Sequence, residues 1–157
     1  MKPGYLISLT ILIFFLNGCV SDSQAGVSVG FEIIQSGVTP VTGVSGNRKV
    51  EFIHNQRSFA EAVSSYSNVP AEQIDFSSNQ VVLLAAEEKP TGGYAIRIDS
   101  VKETHDALKL YATETRPGSN CMVTQALTAP YLFVKVLSVK RVETVVISSE
   151  VVDCTAP

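Results

Sequence analysis

The chain has 157 residues, with 12 basic and 15 acidic side chains and a formal net charge of −3. Mild acidity without a basic cluster argues against nucleic acid as a partner. The length suits one domain around one core.

The first segment reads as an export signal. Lys2 precedes an apolar stretch from Leu6 to Leu16, interrupted only by Ser8 and Thr10. Leu16-Asn17-Gly18-Cys19 follows, and the chain then turns polar at Ser21-Asp22-Ser23-Gln24. This is the tripartite layout of a signal sequence, and its end resembles a bacterial lipobox. The resemblance implies a signal peptide over 1–18 and an acylated Cys19, carrying chains such as palmitate, as the mature N-terminus. A plain secretory signal and an uncleaved anchor helix are the alternatives. The apolar run falls short of the roughly 20 residues that span a bilayer. Residues 19–26 are small and polar and read as a tether, leaving 27–157 as a single β-rich domain. Val20 is not Asp, which by analogy with enteric sorting points to the outer membrane, facing the periplasm.

Val27 to Ile34 predicts a strand with Val27, Val29, Phe31 and Ile33 on one face. Residues 36–47 are rich in Gly, Ser, Thr and Val and read as a loop. Val50 to Ile53 reads as a short strand. Ser58 to Tyr66 predicts a helix, because Phe59, Ala62, Val63 and Tyr66 fall at i, i+3, i+4 and i+7. Ser58 and Glu61 have capping-box spacing, and Asn68 and Pro70 mark its end. A helical turn is expected at Ala71–Ile74. Val81 to Ala86 is a continuous apolar run suited to a central strand. Tyr94, Ile96 and Ile98 alternate with polar or small residues and predict an inward face, with the helix on the same sheet. Leu108, Leu110 and Ala112 form a second alternating stripe, and Tyr131–Leu137 and Thr144–Ile147 complete the strands. Short turns between strands suggest antiparallel pairing. The expected fold is α+β: a predominantly antiparallel sheet, a small sandwich or roll, with one packed helix.

With Cys19 assigned to lipid, Cys121 and Cys154 remain as a pair. In an oxidising envelope a disulfide is expected. It would close a loop of about 34 residues and contribute roughly 3–4 kcal/mol. Two free thiols or a nucleophilic cysteine are the alternatives. Catalytic motifs are scarce: neither G-x-S-x-G, G-x-x-x-x-G-K nor H-E-x-x-H occurs. His54 and His105 stand apart without a second ligand at metal spacing, and Glu87-Glu88 reads as a strand-end charge pair. No catalytic residue, cofactor or metal site is expected.

The distinctive segment is Lys89-Pro90-Thr91-Gly92-Gly93-Tyr94, between two strong strands. Proline fixes φ, and the glycines permit positive φ or close backbone approach. A hairpin turn with an aromatic plug is one reading, and a loop presented to a partner is the other. Further on, Arg116-Pro117-Gly118 leads through a polar segment to Gln125-Ala126-Leu127-Thr128-Ala129-Pro130-Tyr131 and an apolar strand starting at Pro130.

In that order, K-P-T-G-G-Y, an alternating strand, P-G and Q-A-x-T-x-P-Y resemble the PrcB C-terminal domain family over roughly residues 56–140. Ile74-Asp75-Phe76-Ser77 is similar to the family's lead-in. The resemblance implies a noncatalytic envelope lipoprotein that binds a protein partner and assembles or stabilises a protease complex. Pro90-Thr91-Gly92-Gly93-Tyr94 also looks like the N-P-T-T-G-Y loop of chagasin-type cysteine protease inhibitors, which implies a protease inhibitor acting through residues 89–94. A hydrolase with an unrecognised site is the reading from another class. The residues expected at a partner contact are Lys89, Pro90, Thr91, Gly92, Gly93 and Tyr94.

The lipobox reading has a direct consequence. Cys19→Ser should leave an unprocessed precursor or release the protein from membranes. Mass spectrometry of the mature N-terminus checks it, and an unmodified terminus elsewhere overturns it.

Overall fold

Whether a strand alternates or runs continuously apolar depends on how many of its faces are covered. Both patterns occur here, and they separate the two sheets. The computed structural model describes residues 26–40 and 47–154. The expected signal peptide, Cys19 and most of the expected tether lie outside them.

The elements are β1 (Val27–Val29), β2 (Phe31–Pro40), β3 (Lys49–Ile53), α1 (Gln56–Tyr66), β4 (Gln80–Ala85), β5 (Ala95–Thr104), β6 (Ala107–Pro117), β7 (Thr128–Val136) and β8 (Val142–Val152). They form two four-stranded sheets with orders β1-β5-β6-β8 and β2-β7-β4-β3. Pairing is antiparallel except between β6 and β8, which run parallel. The fold is thus predominantly antiparallel, as expected, with this one parallel pair. The chain leaves β6, passes through β7 in the other sheet, and returns in the same direction.

In the β2-β7-β4-β3 sheet the central strands β4 and β7 are buried on both faces. One face meets α1 through Phe59, Ala62, Val63 and Tyr66, packed on Ile53, Val81, Leu83, Ala85, Tyr131 and Phe133. The other face contributes Val82, Leu84, Leu132, Val134 and Val136 to a core shared with Val101, Leu108, Leu110, Ala112 and Val142. Double burial explains the unbroken apolar runs of β4 and β7. The β1-β5-β6-β8 sheet is covered on one face, so it alternates. Ile96 and Ile98 face inward as expected and pack on the inter-sheet core. Tyr94 precedes the strand, and α1 lies on the opposite sheet rather than on theirs. An aromatic cluster joins the helix to β7, with Phe59 5.7 Å from Phe133 and Tyr66 5.1 Å from Tyr131.

Local differences from the sequence reading have physical causes. The helix begins two residues before Ser58. Its cap is Asn55, whose side chain accepts from the Ser58 N–H at 2.9 Å, so the first orphan amide is already satisfied without a capping box. The expected strand 27–34 divides at Gly30 between the two sheets, and a bulge at Ile34 turns that side chain toward the helix side. Ile33 is exposed. β2 runs on to Pro40, where a loop was expected, because β7 supplies a full antiparallel partner. Residues 71–75 are irregular. The turn lies instead at 76–78, where the Asp75 carboxylate accepts from Ser77 and Ser78. β7 starts at Thr128, before Pro130.

Leu83 is fully buried between β4 and the helix. Leu83→Ala should cost about 2–5 kcal/mol, and Ile96→Ala should fall at or below the low end of that range, because Ile96 is only half-buried. Equilibrium denaturation of both variants checks the order.

Candidate functional site

The 86–94 segment carries the chain from one sheet to the other. β4 belongs to the inner sheet and β5 to the outer, so these residues form a crossover and not a hairpin turn. The crossover starts where the β4–β7 ladder fails. Pro130 accepts from the Ala86 N–H at 2.8 Å but has no N–H to return. The chain lifts away through Glu87 and Glu88 and touches β7 once more at Lys89, which exchanges backbone bonds with Thr128 at 2.7 and 3.0 Å.

The crossover is then held from the side. The Gly92 N–H donates to the Thr124 carbonyl at 2.9 Å, and the Thr128 hydroxyl donates to the Thr91 carbonyl at 2.7 Å. Gly93 has φ of +86°, and a Cβ there would stand 2.9 Å from Val123 Cγ1 and 3.2 Å from Pro117. Glycine is therefore required twice over, by conformation and by space. The residues doing the holding belong to the β6–β7 connection, a second crossover lying beside the first. Cys121 and Cys154 form a disulfide, with Cα atoms 5.0 Å apart, which pins this connection to the chain just beyond β8. Asn120 reinforces it by donating to the Cys154 carbonyl at 2.9 Å and accepting from the Cys154 N–H at 3.2 Å.

Beneath the crossover lies a network of charges. The inward stripe Leu108, Leu110, Ala112 ends in Glu114, which is buried. Lys89 Nζ approaches Glu114 Oε1 at 2.5 Å and Glu87 Oε1 at 3.1 Å, and Arg48 reaches Glu114 Oε2 at 2.5 Å. Lys89 also stands 5.4 Å from the Tyr94 ring centroid. Burial pushes the Glu114 carboxyl up, but the Lys89 and Arg48 cations outweigh it and hold the group below its ordinary range. For Lys89, burial pushes down and the bonds to Glu114 and Glu87 raise it further than that, so it stays charged. A cleft of about 380 Å³ opens over the network, bordered by Pro90, Tyr94, Arg116 and Ser149.

The six residues expected at a partner contact thus have different surroundings. Pro90 and Gly93 are exposed, and Thr91, Gly92 and Tyr94 are half-buried. Lys89 is 8% exposed. Its charge is engaged internally, so it anchors the crossover and offers little to a partner. Met122, fully exposed, and Leu127 flank the loop from the second crossover. Among the described residues no group of His, Cys, Asp or Glu could hold a metal, and His54 and His105 are isolated and exposed. Sequence reasoning missed Glu114 and Arg48. A signal existed for Glu114: a carboxylate in phase with an apolar stripe must find a cation when that stripe is buried.

Glu114→Gln would leave Lys89 buried with only Glu87, at a cost of about 3 kcal/mol. Because Glu114 is depressed in the folded state, its contribution is present above the ordinary carboxylate range and is lost as pH falls through the folded value. Wild type should therefore lose more stability on acidification than Glu114→Gln, and thermal melts across the acid range check this.

Comparison with curated proteins and with solved structures yields no match. Residues 80–136 match the family model described as PrcB C-terminal. That match spans β4 through β7, the stretch that holds both crossovers.

Proposed function

We propose that the protein is a noncatalytic binding module of the bacterial envelope, anchored by lipid at Cys19, that holds a protein partner of the protease-complex kind against its paired crossovers. The observation that carries this reading is the fixation of Pro90–Tyr94. Backbone bonds to Thr124 and Thr128, the Gly93 contact with Val123 and Pro117, and the Cys121–Cys154 disulfide hold the loop in one conformation. A loop ordered in advance loses little entropy on binding. In the cleft below, Glu114, Lys89, Glu87 and Arg48 are paired with one another, which suits a structural role.

The geometry of the tether agrees with this. β1 begins beside Glu103, at the β5–β6 turn, whereas Pro90–Tyr94 precedes Ala95 at the other end of β5. A ten-residue strand separates the two ends by about 30 Å. Residues 20–25 reach about 20 Å when extended. An anchored domain would keep the turn end near the bilayer and turn the crossovers outward.

Inhibition of a protease is the second reading. It is favoured by Met122, which stands exposed on the flanking crossover at the same end; flanking loops at one end are what a cleft-blocking loop needs.

Thr91→Ala and Met122→Ala should each weaken capture of the partner by about tenfold, as contact residues of a small interface do. Both should leave the melting temperature nearly unchanged, as surface substitutions do. Crosslinking and pull-down from envelope fractions, beside thermal melts, check this. Unaltered capture by both variants moves the contact elsewhere, and loss of a protease's activity on adding pure protein favours the inhibitor.

A further inference from the structure

The second crossover holds one apolar side chain clear of the fold and pins the residues on both sides of it. Met122 is the most exposed large apolar residue among those described. Burial alternates around it: Cys121 and Val123 are half-buried, and Met122 and Thr124 are exposed. Residues 121–125 belong to neither helix nor strand, and none has positive φ. The alternation is that of extended backbone.

The restraints lie to either side. Before Met122, Cys121 is bonded to Cys154, whose backbone Asn120 holds through two hydrogen bonds. After it, the Val123 side chain lies against Gly93, and the Thr124 carbonyl accepts from the Gly92 N–H at 2.9 Å. A Cβ at Gly92 would collide with the Thr124 hydroxyl. The two glycines of the first crossover are therefore the floor on which Val123 and Thr124 lie.

An extended peptide is recognised through its backbone, with side-chain pockets giving specificity. Serine endopeptidases of the chymotrypsin kind read the residue before the scissile bond in a hydrophobic slot. Met122 suits such a slot, being apolar, unbranched and flexible. Cys121 is tied into the bridge and offers no free side chain to a neighbouring pocket, so selection would rest on Met122. Hydrolysis of Met122–Val123 would add water, its hydroxyl to the Met122 carbonyl carbon and its proton to the Val123 nitrogen. Both new ends would stay in place, one through the disulfide and the other through Gly92 and Gly93. Ends held together rejoin at a high effective concentration. Net cleavage would then be slow, and the protease would remain occupied.

We propose that Cys121–Thr124 is a substrate-like segment for a serine endopeptidase with an apolar specificity pocket, which Met122 enters. The inference rests on the inhibitor reading. It moves the contact from residues 89–94 to the second crossover and makes Pro90–Tyr94 its support.

The test adds the full chain, in detergent micelles, to chymotrypsin and to trypsin, whose pocket is acidic. Chymotrypsin should be inhibited and trypsin should not. Met122→Ala should weaken the inhibition by about tenfold or more. Met122→Lys should transfer it to trypsin. Both variants should melt near the wild-type temperature, as surface substitutions do. After long incubation, mass spectrometry should find a first cut at Met122–Val123. A gain of trypsin inhibition from one exposed side chain is not what a purely structural crossover would give. Digestion without inhibition, inhibition unchanged in both Met122 variants, or a first cut elsewhere overturns the proposal. If Thr91→Ala abolishes an inhibition that Met122→Ala retains, the contact is at 89–94; the inhibitor reading stands and this assignment falls. If neither protease is inhibited while envelope capture persists, the assignment and the inhibitor reading both fall and the binding module stands.

Discussion

Glu114 is where the two sheets are closed against each other. It sits at the end of the inter-sheet stripe, on the outer sheet, and takes Lys89 from the crossover and Arg48 from the residue before β3. A buried carboxylate would be costly alone. Two cations make it a clasp between three chain segments that are distant in sequence. Charges paired in this way do not by themselves raise stability over an apolar filling. They do fix which side chains meet at that end, and so where the crossover above them lies.

The remainder of the architecture follows from double burial of the central strands of the inner sheet. Because α1 covers its outer face, β4 and β7 can be apolar on both sides. The outer sheet needs only one apolar face, which frees its other face for a polar lattice of Arg97, Asp99, Thr113, Ser148 and Glu150. The three layers then have unequal demands, and the parallel β6–β8 pair is their topological consequence. Strands alternate between sheets at both ends, and each return leaves a crossover at a sheet end. Opposite the paired crossovers, buried Gln80 plays the same part for the link into β8, accepting from the Val142 N–H and donating to the Lys140 carbonyl.

The paired crossovers are therefore rigid for reasons internal to the fold. Their bonds, glycines and disulfide would be needed for closure whether or not a partner existed. What makes them a contact candidate is that closure leaves Pro90, Gly93 and Met122 outside, at the end away from Val27.

Period and composition by themselves determined most of the element types. The helix face Phe59, Ala62, Val63, Tyr66, the inward stripe of β6 and the apolar run of β4 were legible because a 3.6 or 2.0 repeat is a local property. The disulfide was legible as the cysteine pair left over once Cys19 is read as the lipid site. Sheet membership was not: residues 27–34 read as one strand, and only the partners β5 and β7 divide them at Gly30. The K-P-T-G-G-Y segment could be singled out for its backbone freedom. Its nature as a crossover, and the burial of Lys89, depended on β4 and β5 joining different sheets. Lysine next to a turn looks solvated in sequence. Only the tertiary structure brings Glu114 beneath it, because an ion pair between residues remote along the chain leaves no periodic trace in either segment.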